Sequence, residues 1–390
     1  MLFALRCSLF ALHSSRFAVR ARCLRGLPSA RTHPAQGLWG DWKSITVNPP
    51  RARSSAPNML GTGLTMEGIF QNAATFDLMN ENSYRATAVA DVSEWAEQYS
   101  HRRYNAAVPA AADAAANAWR LFAGTAFNVS DGEMVSKDTL TAIPYGKVWD
   151  KVYGTDGGGM GGGTLYNETE FTRGWAWLLK AAALDPTLAG KSTFTHDLVD
   201  VTRQAIAKHA SKVYRDLDSA ANANSTARFA AAGKLLLEAL DDADLVLGSS
   251  EGFLFGAWLA SARQLGTTPA ERQLYGWNAA MQVTFWEYPQ PDPANSSAVY
   301  TQSSLQDYAC KQWSGLISSY YKPRWELYIN QTLAQLKADP KATFDIARFH
   351  SSTFAWFDAW QSSAPMHDFP AEPAGDSVAI SKALYAKYGL

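Results

Sequence analysis

Cysteine is scarce: there are three in 390 residues, and two of them, Cys7 and Cys23, fall within the first 55. That excludes a disulfide framework. No C-x-x-C occurs and the seven histidines form no H-x-H or H-x-x-x-H pair, which excludes a structural zinc site. Cys310 reads as a small buried residue, not a nucleophile. Charge is also sparse, at 18%, and balanced, with 35 Lys+Arg against 36 Asp+Glu. The basic footprint that nucleic acid demands is therefore missing. No run of about 18 uncharged apolar residues exists, so no segment is suited to span a membrane. The glycine run 154–163 lacks the following Lys-Ser/Thr of a phosphate-binding loop and reads as a surface insertion. No fixed-period repeat is present, which excludes a solenoid. Nothing in the sequence calls for a cofactor.

What is abundant is apolar and aromatic mass. The chain is 47% hydrophobic with 14 Trp, enough for a large core and far from a disordered composition. Its balanced charge hides a split. Residues 1–55 carry nine basic residues and one acid, Asp41, while the other 335 carry 26 basic and 35 acidic. The first 40 residues, rich in Arg, Ser, Ala and Leu, have the look of a mitochondrial transit peptide. Five N-x-[ST] sequons, at Asn128, Asn167, Asn224, Asn295 and Asn330, point instead to the secretory route. The two addresses disagree, and residues 1–55 are expected to be a disordered basic leader or not the natural start of the protein.

Beyond residue 56, one short extended segment, 58–66, precedes a succession of helical patterns. Asp91 with Glu94 is a helix-start signal for 91–104, and Pro109 opens an Ala-rich helix. Further helices are expected over 168–184, 193–215, 224–244, 252–265, 269–286, 303–338, 343–361 and 376–388. Pro323 should kink or restart the helix that contains it. Leu198, Thr202, Ile206, Ala210 and Val213 keep the spacing of one helix face. Strand alternation is nearly absent. The fold class is all-α with a small β-containing stub at the front.

Gly248-Ser-Ser-Glu-Gly252 matches the G-x-S-x-G of a hydrolase nucleophile elbow, which would make Ser250 an esterase nucleophile. An elbow stands on a parallel sheet, and here both flanks read as helices, so a polar turn is the better reading. Glu67 closes an extended stretch, Gly61-Thr-Gly-Leu-Thr-Met, just before a helix; β/α barrels keep catalytic carboxylates at such strand ends. A solvated Glu near a turn has the same pattern. Trp286 and the stretch from Leu305 through Tyr308 to Gln312 flank a Pro/Ser-rich loop, 287–302. Aromatic faces so placed can wall a pyranose, or can be ordinary core.

Taken together, these segments resemble the lysosomal α-N-acetylglucosaminidase family of glycoside hydrolases. The matching blocks are G-T-G-L-T-M-E-G-I-F-Q-N at 61–72, W-A-E-Q-Y-S-H-R-R-Y at 95–104, A-W-R-L-F at 118–122 and H-D-L-V-D-V-T-R-Q at 196–204. They continue with G-A-W-L at 256–259, L-Q-D-Y-A-C-K-Q-W-S-G-L-I-S-S-Y-Y-K-P-R-W at 305–325 and G-D-S-V-A-I-S-K-A-L-Y-A-K-Y at 375–388. The resemblance implies a retaining exo-enzyme that removes terminal α-linked N-acetylglucosamine, notably from heparan sulfate, in a lysosomal or secretory compartment. It implies Glu67 as nucleophile and Trp286, Leu305 and Tyr308 as substrate-binding positions, with room for a homo-oligomer.

Retention needs two carboxylates about 5 Å apart. In the family the acid/base Glu lies upstream of the nucleophile, next to an Asn; here Glu67 is the first Glu of the chain. The expectation is therefore a C-terminal portion of the enzyme, inactive alone. Residues 1–55 form the unmatched leader, 56–88 a strand/helix remnant of the catalytic barrel, and 89–390 the all-α C-terminal domain. The competing expectation is a non-catalytic helical module that binds glycan or another subunit.

Overall fold

The apolar stripe from Leu198 to Val213 becomes the buried face of a 31-residue helix, Ser192–Asn222, around which the computed structural model is organised. The structure describes residues 37–38, 40–56, 58–63, 72–129, 139–141, 166–285, 309–341, 344–363 and 369–389. In chain order their α-helices are α1 (Trp42–Ser55), α2 (Ala73–Asn82), α3 (Val92–Tyr104), α4 (Pro109–Gly124), α5 (Glu168–Leu184) and α6 (Ser192–Asn222). After them come α7 (Thr226–Leu247), α8 (Phe255–Gln264), α9 (Pro269–Gln282), α10 (Lys322–Ala338), α11 (Ile346–Gln361) and α12 (Ser377–Tyr388). The α6 helix pairs with α7 across a turn at Asn224, whose φ of 53° is one that Asn tolerates. On its other sides lie α12 and the packed series α3, α4 and α5.

Local chemistry explains where the helices begin. The Asp91 carboxylate accepts from the amides of Ser93 and Glu94 at 2.7 and 3.3 Å and so caps α3. Pro109 occupies the first turn of α4, where its missing N–H costs nothing. Thr268 and Glu271 form a reciprocal capping box on α9. Pro323 restarts a helix: one π turn, Ile317–Tyr321, gives way to α10 with Pro323 in its first turn.

Three expectations change. Residues 42–55, given to a disordered leader on composition, are helical, and Trp42 is buried between Phe127 and Trp95. The extended segment forms no strand over its described part, 58–63. Among the described residues the only β pairings are two isolated bridges, Asp41 with Asn128 and Leu254 with Ser314. The helix expected from residue 303 is absent over 309–315, because Cys310 at φ 45° and the Leu254–Ser314 bridge hold that stretch in a non-helical path. The all-α class holds for the described residues.

Candidate functional site

The residues assigned to the sugar site by sequence, Glu67, Trp286, Leu305 and Tyr308, lie outside the described residues, as do the glycine run 154–163, the loop 287–302 and Asn295. What the structure places are the flanks of those segments. Asn72, five residues after Glu67, has φ 55° and donates from Nδ2 to the Gly37 carbonyl at 3.2 Å. Phe285, just before Trp286, is buried and stacks on Phe357 with centroids 3.7 Å apart. The guanidinium of Arg324 lies over Tyr320 at 4.8 Å. Following Tyr308, Lys311 and Gln312 are both buried, and the Lys311 ammonium lies 5.7 Å from the Trp313 ring.

One of these flanks, at Gln312, enters a buried polar network on α6, and Asn72 reaches its edge through Gly37, the neighbour of Leu38. Arg203, with no exposed surface, donates from Nε and Nη2 to Asp200 Oδ1, the first at 3.1 Å. Its Nη1 donates to Gln204 Oε1 at 3.1 Å and to Gln312 Oε1 at 3.0 Å. Gln204 Oε1 also accepts the Leu38 amide at 3.0 Å, while its Nε2 donates to Tyr166 Oη at 3.0 Å. Gly37 makes this approach feasible, since a Cβ there would stand 2.8 Å from Gln204 Oε1.

A second network lies one helical turn back. Asp197 takes a two-pronged contact from Arg103, at 2.6 and 2.8 Å, and a 2.7 Å bond from Tyr104 Oη. Trp119 Nε1 in turn donates to Tyr104 Oη at 2.8 Å. Burial, and then the Asp197 charge, push the Tyr104 phenol well above its ordinary range. Burial opposes the charge on Arg103, but the Asp197 contact outweighs it and holds the guanidinium firmly protonated. Between the networks is a cavity of about 20 Å³, faced by Asn72, His196, Asp197 and Asp200 as well as Leu38 and Trp119. That is room for one water among several polar partners.

Elsewhere a cleft of about 200 Å³ opens between α5, α6 and α12, lined by Glu168, Arg173, Lys208, His209, Lys212 and Tyr388 among others. Its charges are largely matched: Lys212 reaches Glu168 at 2.5 Å and Arg173 reaches Glu170 at 2.6 Å. Ser250 sits in the turn between α7 and α8, ahead of the short 3-10 turn Glu251–Phe253, with no strand beneath it among the described residues. The polar-turn reading of that motif holds. No cluster of metal-ligating side chains occurs among the described residues. The sequon residues Asn128, Asn167, Asn224 and Asn330 are all exposed, and Asn167 caps α5 by accepting the Glu170 amide on Oδ1 at 3.2 Å.

Sequence reasoning did not single out Arg203, Gln204 or Gln312. The available signal was that all three lie inside the blocks 196–204 and 305–325. Neither block alone shows that they bond to each other.

Comparison with known proteins follows the same division of the chain. The family model "Alpha-N-acetylglucosaminidase (NAGLU) C-terminal domain" matches residues 95–387. The model of the tim-barrel domain of the same family matches residues 34–86, starting inside the stretch read as leader and covering α1 and α2. Human α-N-acetylglucosaminidase is 31% identical over 358 residues, which is 90% of this chain and 43% of that protein. A family 89 glycoside hydrolase from Clostridium perfringens, solved with 2-acetamido-1,2-dideoxynojirmycin, superposes with a TM-score of 0.72 at 22% identity. That match covers 92% of this chain and 38% of that one. The Clostridium perfringens enzyme solved with its substrate GlcNAc-alpha-1,4-galactose gives a TM-score of 0.71 at 21% identity. The chain thus spans about two fifths of the length of these relatives.

Proposed function

Because the chain belongs to the α-N-acetylglucosaminidase family by its match over residues 95–387, we propose that it is the C-terminal part of a retaining exo-α-N-acetylglucosaminidase. Its substrate class is glycans ending in α-linked N-acetylglucosamine, of the heparan sulfate type. The observation that carries this reading is the family match itself, supported by 31% identity to the human enzyme over 90% of the chain. In this reading Glu67 attacks the anomeric carbon to form a glycosyl-enzyme ester. A second carboxyl group protonates the departing oxygen and then deprotonates the water that releases the sugar. Trp286, Leu305 and Tyr308 wall the N-acetylglucosamine ring, the two aromatic residues offering flat apolar surface to its C–H faces. Within the 390 residues no Glu precedes Glu67, so the acid/base partner is not supplied by the position that the family uses. In this reading the 390 residues supply a sugar-binding part, in a lysosomal or secretory setting where the exposed sequons carry glycans.

The test is saturation-transfer NMR of the 390-residue chain with methyl α-N-acetylglucosaminide, using the β anomer as control. Binding selective for the α anomer and lost in Tyr308→Ala is expected. No response, or an equal response to both anomers, overturns the reading. A chromogenic α-N-acetylglucosaminide should not be turned over; turnover that disappears in Glu67→Gln would show that a partner carboxylate is present after all.

A further inference from the structure

The cleft between α5, α6 and α12 has walls of mostly one sign. Lys208, His209 and Lys212 are spaced along α6 so that one helix face brings all three to the cleft. Arg173 lines it from α5, together with Thr169 and Thr172. The one carboxylate of the lining is Glu168, so Arg173, Lys208 and Lys212 leave two positive charges in excess. Two ion pairs draw on that excess without cancelling it. Lys212 meets Glu168 inside the cleft, and Arg173 meets Glu170, which lies outside the lining. Counting Glu170 still leaves one positive charge over, and protonation of His209 adds another. The Lys212 and Arg173 side chains are 53% and 61% exposed, and ion pairs so open to water re-pair readily. The Lys208 ammonium lies 5.5 Å from the Tyr166 ring, a contact that leaves its charge intact.

The α12 side of the cleft is anchored in advance. The His209 ring lies 4.8 Å from that of Tyr388, whose Oη donates to Asp242 at 2.5 Å. Lys387 is held by Glu238 and Asp242 of α7. Tyr385 meets the buried Trp175 edge-on at 4.9 Å. The volume of about 200 Å³ is far above the ~10–15 Å³ that seats one water. After burial, it is the charges of Lys212 and Lys387 that lower the His209 imidazole, as a positive local field requires.

We propose that this cleft is a binding site for a tetrahedral oxoanion, a sulfate or phosphate group, held by Arg173, Lys208 and Lys212 with His209 beside them. Cations from two helices and the threonine hydroxyls suit a group whose acceptor oxygens point in several directions. The site shares no residue with the proposed sugar pocket and takes its ligand independently of it. The oxoanion has two sources, a free inorganic ion or a sulfate ester carried on a glycan.

The charged and titratable groups around His209 are Glu168 and Arg173 of α5, Lys208 and Lys212 of α6, Glu238 of α7, and Tyr385, Lys387 and Tyr388 of α12. An anion bound among them favours the imidazolium. Saturating sulfate should therefore raise the pH at which His209 titrates by about one unit, and sulfate should bind about tenfold more tightly below that transition than above it.

The experiment is an imidazole NMR titration of the full chain with sodium sulfate, against sodium chloride at equal ionic strength. Arg173→Gln and Lys208→Gln should each weaken sulfate about tenfold, the loss of one charge-assisted contact. Lys337→Gln, which removes the same charge from α10, should leave the affinity within about twofold. A second arm uses N-acetylglucosamine 6-sulfate, with N-acetylglucosamine as control. Tighter binding of the sulfated sugar than of sulfate identifies the ester as the source, and equal binding identifies the free ion. Three results overturn the proposal: a His209 response to sulfate no larger than to chloride, parental affinity in both Arg173→Gln and Lys208→Gln, or an equal response to the unsulfated sugar. The response of the unaltered chain decides even where a variant fails to fold.

Discussion

Trp42 gives the sharpest test of where this fold begins. Its indole is 1% exposed, stacks on Phe127 at 4.4 Å, meets Trp95 edge-on at 5.3 Å, and donates from Nε1 to Thr75 Oγ1 at 3.0 Å. Truncation to alanine removes the largest kind of side chain from a site closed on three sides. Buried Trp→Ala changes cost about 3–5 kcal/mol. Trp42→Phe keeps part of the stacking and loses the hydrogen bond, for about 1 kcal/mol plus the smaller ring. Lys43, the next residue, is exposed, and Lys43→Ala should stay within about 0.5 kcal/mol of the parent. If a chain of this length unfolds as one unit, its unfolding entropy is about 0.8 kcal/mol/K, so Trp42→Ala lowers Tm by about 4–6 °C. Urea and thermal denaturation followed by far-UV circular dichroism measure both figures. Equal stability of Trp42→Ala and Lys43→Ala would mean that α1 is not part of the folded unit, and would return residues 42–55 to the leader.

Other outcomes follow from the electrostatics and the caps. Asp197→Asn leaves the Arg103 charge facing a neutral amide in a mostly buried site, and should cost about 3–5 kcal/mol in urea denaturation. The Glu271 carboxyl, bonded to Thr267 and Thr268, is held down to about 2 against an ordinary 4.5. The stabilisation it gives is complete above pH 4.5 and is lost as pH falls towards 2, which side-chain carboxyl NMR should follow; Thr267→Ala and Thr268→Ala should each return the value towards 4.5. Burial, and then the charges of Lys212 and Lys387, lower the His209 imidazole below its ordinary 6.5. The stability tied to the neutral ring is thus complete above pH 6.5 and declines below it, and Lys212→Gln should raise the His209 value in an imidazole NMR titration. Asp91→Ala removes the α3 cap and should cost about 0.5–2 kcal/mol.

How far the sequence could be read depended on whether the deciding forces were local. The start of α3 at Asp91, of α4 at Pro109 and the restart at Pro323 are set by side chains within four residues, and each was legible. The buried stripe of α6 was legible from its spacing. Helix α1 was not. Pro49 and Pro50 stand inside it and its net charge is basic, so both local signals oppose a core helix. Its place is decided by Trp42 meeting Phe127, 85 residues away in sequence. The non-helical path at Cys310 was hidden for the same reason, because its bridge partner, Leu254, comes from a distant turn. The Arg203 network joins residues separated by 109 and 166 positions, and no spacing rule reaches so far. The sugar-site assignments came from resemblance, and the described residues place only their flanks.

Asn167 has a double life that its atoms keep separate. The capping bond to α5 uses Oδ1, whereas an N-linked sugar is attached through Nδ2. A glycan added at this position would leave the capping bond intact. The opening turn of α5, with Glu168, Thr169 and Glu170 beside it, would then lie under a hydrated canopy. A partner protein seeking that end of the bundle would meet carbohydrate first.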